Sequence, residues 1–151
     1  MKIITNFDDE YMRKLDISGR SMFFTFFVSD DNVFYPSDRW MDFGGIVLGW
    51  WHTSVCRLLS GNKSERFLFM DGPYKLVAKK QSNLSKNTLK IADPENIICI
   101  NTSMYSFAHE IIRASRMVAD KYRSLNVAKN ELDSIEYGIE EILDRLRKSN
   151  C

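Results

Sequence analysis

The spacing of apolar side chains changes once in the middle of the chain, and that change restricts the fold more than any other feature. Over residues 43–60 (FGGIVLGWWHTSVCRLLS), Phe43, Ile46, Val47, Trp50, Trp51, Val55, Leu58 and Leu59 follow a wide stripe of helical period, with Asp42 available as N-cap. Gly44, Gly45 and Gly49 oppose a helix, each by about 1 kcal/mol relative to Ala. Burial of the two tryptophans and several aliphatic side chains stabilises by ~1.5–3 kcal/mol each and outweighs them. The spacing therefore predicts a buried helix whose glycines allow close packing on a sheet; a strand over 44–49 turning into a helix is the alternative. Gly61 and Asn62 suit a left-handed cap at its end.

Beyond that point the period is two. Residues 65–71 and 74–81 flank Asp71, Gly72 and Pro73, and residues 87–92 and 96–101 flank Asp93, Pro94 and Glu95, so two antiparallel hairpins are expected. Upstream, 20–29 (RSMFFTFFVS) is aromatic and β-branched and reads as a strand buried on both faces, with 33–35 pairing back after the turn at Asp30, Asp31 and Asn32. Residues 2–6 suit a short edge strand followed by a helical turn. Helical spacing returns over 103–127, capped by Ser103 or Ser106, and again from about 134 to 148. The expected fold is α+β, a single domain over 1–151. Its antiparallel sheet of about five strands is covered by one central buried helix and two C-terminal helices.

A chain of 151 residues with 44% apolar and 27% charged side chains has enough apolar surface for one core. The longest apolar-plus-glycine run, 43–51, is far short of the roughly 20 residues a membrane helix needs. The first fifteen residues carry Asp8, Asp9 and Glu10 where an export signal would be apolar. Cys56, Cys99 and Cys151 make no disulfide framework, and a reducing cytoplasm is expected.

Catalytic and metal-binding patterns are sparse. His52 and Cys56 are four apart and share a helix face, so a nucleophilic pair near Asp42 is conceivable, but that helix is the most apolar in the chain and burial is the simpler reading. His109 and Glu110 begin a zincin-like motif, but Arg113 stands where the second histidine belongs. Asp42 reads as the helix cap and Asp71 as a turn residue. No phosphate-binding loop, metal or cofactor is expected.

Charge is more informative. The totals, 21 basic against 20 acidic residues, give a formal net charge of +1 and no reason to expect a nucleic-acid or membrane partner. Locally the balance fails. Residues 74–92 contain Lys75, Lys79, Lys80, Lys86 and Lys90 and no acid, whereas 131–144 contain Glu131, Asp133, Glu136, Glu140, Glu141 and Asp144 and no base. Solvated surface is the plain reading of each run. The acidic run also suits a docking surface for a basic protein, and Glu136, Glu140 and Asp144 fall on one helix face where they would mimic phosphates. The lysine hairpin suits nucleic acid less well, having no known reading motif. Trp40, in a loop beside Arg39 and Asp42, reads as core packing or as a partly exposed binding anchor.

Trp40, Met41, Asp42 and Phe43, then Leu48, Gly49, Trp50 and Trp51, then Phe69, Met70, Asp71, Gly72, Pro73 and Tyr74 resemble small bacterial proteins encoded beside polymorphic toxins. These are the immunity proteins of contact-dependent growth inhibition and related systems. The resemblance spans roughly residues 34–120 and carries over no functional residue. It implies a cytoplasmic, non-enzymatic protein that binds one cognate toxin domain, expected to be a nuclease, and blocks its active site or substrate access. The partner-binding candidates from charge and exposure are the six acidic residues of 131–144 and Trp40. A small enzyme near His52 and Cys56, and a nucleic-acid module using the 74–92 hairpin, are the alternatives.

Overall fold

The aromatic run at 20–29 becomes the strand on which the first half of the chain assembles. In a computed structural model, which describes residues 1–82 and 87–149, the elements run β1 (Lys2–Asn6), α1 (Asp9–Ile17), β2 (Phe24–Asp30), β3 (Val33–Tyr35), β4 (Met41–Asp42), α2 (Gly44–Leu59), β5 (Ser64–Leu68), β6 (Lys75–Lys80), β7 (Thr88–Ala92), β8 (Cys99–Ser103), α3 (Met104–Leu125) and α4 (Lys129–Ser149). β2 pairs antiparallel with β1, with Ile3 opposite Val28, and on its other side with β3 and β4. Phe24, Phe26 and Val28 are buried in the core, while Phe27 is buried on the opposite face against the Phe34 ring at 5.9 Å. The strand is thus covered on both faces, as its composition predicts.

The fold is α+β with antiparallel pairing throughout. The strands divide into two four-stranded sheets, β1–β2–β3 with β4 on β2, and the meander β5–β6–β7–β8, where one sheet of about five was expected. The reason lies in α2. Its apolar surface is wide enough to be covered from two sides, and it packs against β2, β5, α3 and α4. Trp51, fully buried, is the hub: its ring lies 5.4 Å from Phe26 of the first sheet, 5.7 Å from Phe67 of the second and 5.4 Å from Phe69. Buried side chains from both sheets and from all four helices form one cluster.

α2 begins on two glycines because nothing larger fits. A Cβ on Gly44 would meet the Phe24 ring, and one on Gly45 would meet the Tyr122 hydroxyl and the Glu131 carboxylate. The expected cap is corrected: the N-cap position is Phe43, without a side-chain cap bond, and Asp42 accepts from the Phe43 N–H instead. At the other end Gly61, at φ +118°, takes the conformation expected of it. α3 is capped by Ser103, whose Oγ accepts from Ser106 N at 2.9 Å, and it ends on left-handed Asn126. α4 starts at Lys129, five residues before the expected 134. Its first turn carries one apolar side chain, half-buried Leu132, so the apolar spacing reaches back only that far. No helix among the described residues is long and apolar enough to cross a membrane.

Candidate functional site

Alternation along β5, β6 and β7 sends Phe67, Leu76, Ala78, Leu89 and Ile91 into the core and leaves their neighbours on the opposite face. Arg66, Val77 and Ala92 form one cross-strand row on that face, and Ser64, Lys79 and Lys90 form the next; Leu68 faces Lys75. Between this face and the outer side of α2 lies an open cavity of about 760 Å³, walled by Trp50, Arg57, Arg66, Leu68, Lys75 and Lys79 among others. A second, of about 250 Å³, shares Val77 and Lys79 and continues to Lys90, Ala92 and Pro94. Together they make a trough across the sheet.

The trough is cationic. Among the described residues, Arg66, Lys75, Lys79 and Lys90 have no carboxylate within 4 Å. The two carboxylates in its walls already have partners, among them Arg57 of the same wall for Glu65. Glu65 accepts from Asn62 Nδ2 at 2.6 Å and lies 3.9 Å from Arg57, and buried Asp93 accepts from the backbone of Glu95 and Ile98. Lys80 points to the other side and donates to the Leu58 carbonyl at 2.7 Å. Lys86 lies outside the described residues. One end of the trough is apolar: Trp50 and Leu68 are each 42% exposed. Trp50 was expected in the core with Trp51, but consecutive helical positions diverge by about 100°, and only Trp51 turns inward.

Both walls are held rigidly. Ser54 Oγ donates to the Arg66 carbonyl and Trp51 Nε1 to the Leu68 carbonyl, each at 2.8 Å, so α2 covers the outer acceptors of β5. Two of the sequence segments quoted above, 40–43 and 69–74, meet at the fully buried Asp42 carboxylate, which accepts from Trp40 Nε1 (3.1 Å) and from the backbone N–H groups of Phe43 (2.8 Å), Met70 (3.1 Å) and Asp71 (3.2 Å). Trp40 packs on Tyr74 at 4.8 Å, and Gly72, at φ +87°, lies under both rings. Trp40 is therefore a packing residue of this knot, half-buried. The knot joins the first sheet to the β5–β6 connection.

The acidic run sits wholly on α4, but three of its six charges are paired with cations of the chain. Glu136 accepts two hydrogen bonds from Arg123, Glu141 pairs with Arg145 at 3.2 Å, and Asp144 pairs with Lys148 at 2.7 Å. The Lys148 hydrogen bond holds the Asp144 carboxyl below its ordinary range. Glu131 turns inward to Met22 N and Tyr122 Oη, and burial raises its pKa. Of the six, Asp133 and Glu140 are exposed, beside Tyr137, which is 71% exposed.

His52 and Cys56 do not form a pair. Ser115 donates its hydroxyl proton to the Ile111 carbonyl, so His52 Nε2 donates to Ser115 Oγ at 2.7 Å. That leaves Nδ1 as a bare acceptor, without a partner among the described residues, facing Gly138 of α4. Burial lowers the pKa of this imidazole to about 4 and raises that of the buried Cys56 thiol. A neutral base turned away from an un-ionised thiol cannot generate a nucleophile.

Comparison with protein-family models, with curated proteins and with solved structures gives no match. Function is therefore argued from the site itself. Arg57, Arg66 and Leu68 were missed in the sequence. A signal existed for part of the set: Trp50, Thr53 and Arg57, at spacings of three and four, mark the polar side of α2. Nothing in the sequence turns that side toward β5 and β6.

Proposed function

We propose that this chain is an immunity-type protein, a bacterial, cytoplasmic inhibitor that binds one cognate toxin domain and keeps it from its substrate. It docks through the trough between α2 and the second sheet. The observation that carries this reading is the grouping of exposed Trp50 and Leu68 with Arg57 and Arg66 around one concavity. Tryptophan and arginine are among the residue types enriched at binding surfaces, and buried aromatic and arginine anchors supply most of the energy there. The Asp42 knot and the bonds from α2 to β5 preorganise the trough, so little conformational entropy is lost on docking.

Inhibition follows from occlusion and needs no chemistry. The trough is cationic, which favours an acidic surface of the toxin over the cationic cleft of a nuclease. Phosphate mimicry by α4 would fall to Asp133 and Glu140, since Glu136 and Asp144 are already neutralised.

The test is co-expression with the toxin encoded by the adjacent gene, followed by calorimetric titration of the purified pair. Rescue of growth and a one-to-one complex are expected. Trp50→Ala should weaken the complex by roughly 30-fold, equivalent to about 2 kcal/mol, while stability changes by less than about 0.5 kcal/mol. Growth arrest despite full expression of this chain would overturn the reading.

A further inference from the structure

We propose that the trough recognises an acidic, extended segment of its protein partner, whose carboxylates lie over Lys75, Lys79 and Lys90 and whose apolar side chain packs between Trp50 and Leu68. The inference deepens the toxin-binding reading and rests on it.

Lys79 and Lys90 stand directly opposite each other in the β6–β7 register. Like charges in that position repel and weaken a sheet. Some exposed cations of the chain have acid partners, as Arg123 has Asp120 and Glu136, Lys148 has Asp144 and Lys121 has Asp9. Others, such as Arg13, Arg39 and Arg116, stand singly without one among the described residues. Here four cations, Lys79, Lys90, Arg66 and Lys75, stand together on one face with no carboxylate within 4 Å among the described residues. An unmatched cationic row with no structural benefit is what a surface completed by an anionic partner requires.

The shape of the face says how the partner lies. Its floor is made of short side chains, Ser64, Val77 and Ala92, so an extended backbone can approach closely. Lys75 and Lys79 are four residues apart on one strand, about 13 Å, which matches carboxylates at i and i+4 of an extended segment running along β6. Adding a strand to the edge is not open at β5, whose outer carbonyls at 66 and 68 are bonded to Ser54 and Trp51. Recognition is therefore by side chains over the face.

A nucleic acid fits less well. The whole chain carries a net charge of only +1, and a duplex presents a charge every ~1.7 Å well beyond the trough, while Trp50 and Leu68 together offer an apolar end suited to an aliphatic side chain.

The test uses three fluorescein-labelled probes: a twelve-residue peptide with alternate glutamates and a central leucine, its glutamine counterpart, and a twelve-nucleotide single-stranded DNA. The glutamate peptide should bind, and bind at least ten-fold more tightly than the other two, with affinity falling as salt rises. Lys79→Glu sets opposite charges in register, so it should raise the unfolding temperature while weakening the glutamate peptide and the toxin domain at least ten-fold each. Absence of glutamate-peptide binding, equal binding of the glutamine peptide, or tighter binding of the DNA would overturn the proposal. So would a Lys79→Glu protein with unchanged toxin affinity. If the wild-type chain fails to rescue growth but still binds the glutamate peptide selectively, the toxin-binding reading falls and acidic recognition stands.

Discussion

His52 has no task in the trough, yet it governs how the molecule responds to acid. Its side chain is buried between α2, α3 and α4 with a pKa of about 4, against 6.5 for the exposed ring. Above pH 6.5 the ring is neutral in both folded and unfolded chains and contributes nothing to the pH dependence. As pH falls from 6.5 to 4 the unfolded chain takes up the proton and the folded one does not, so stability declines, by about 3 kcal/mol in all. Urea unfolding of the wild type and of His52→Gln at pH 7, 5.5 and 4 should differ by that loss. At another buried polar position, Asp42→Asn leaves N–H donors facing an amide that accepts less well. We expect it to cost about 2–3 kcal/mol, measured by denaturant unfolding.

The helices separate two kinds of glycine that look alike in sequence. A Cβ on Gly138 would run into the His52 ring, so Gly138→Ala should force α4 away from α2 and destabilise by about 1–3 kcal/mol. Gly49, also helical, has only Ser134 Oγ at 4.0 Å from where a Cβ would sit, and Gly49→Ala should stabilise by roughly 0.5–1 kcal/mol. Thermal unfolding of the two variants checks both signs. The elements themselves were largely legible, because periodicity is a local property: α2, the hairpins β5–β6 and β7–β8, α3 and most of α4 all follow their apolar spacing. Relations between elements were not. Which of Trp50 and Trp51 faces inward depends on where β5 lies, and the pairing of Glu136 with Arg123, thirteen residues away, depends on how α4 folds back on α3. The acidic run read as a free surface because the cations that neutralise three of its members lie on neighbouring turns and on another helix. The same limit hid Arg66, which joins the lysines only through the sheet register.

Over the whole molecule, a net charge of +1 describes two surfaces of unlike character. One is an α4 face half neutralised by cations of α3 and α4; the other is a sheet face that stays cationic. The difference predicts a salt response. Added salt screens exposed charges within ~10 Å, so it should relieve the Lys79–Lys90 repulsion and weaken the surface pairs of α4 at the same time. Stability will therefore vary little with ionic strength, while affinity for an acidic partner falls steadily. Melting curves and titrations across a salt series distinguish the two. The Asp42 knot has a consequence at this same scale. The amide protons of Met70 and Asp71 sit in an exposed connection, where hydrogen exchange is ordinarily fast, yet both are held by a carboxylate from the other sheet. They can be released only when the two sheets part, so in deuterated buffer these amides should exchange at the rate of the core strands and report separation of the two halves of the molecule.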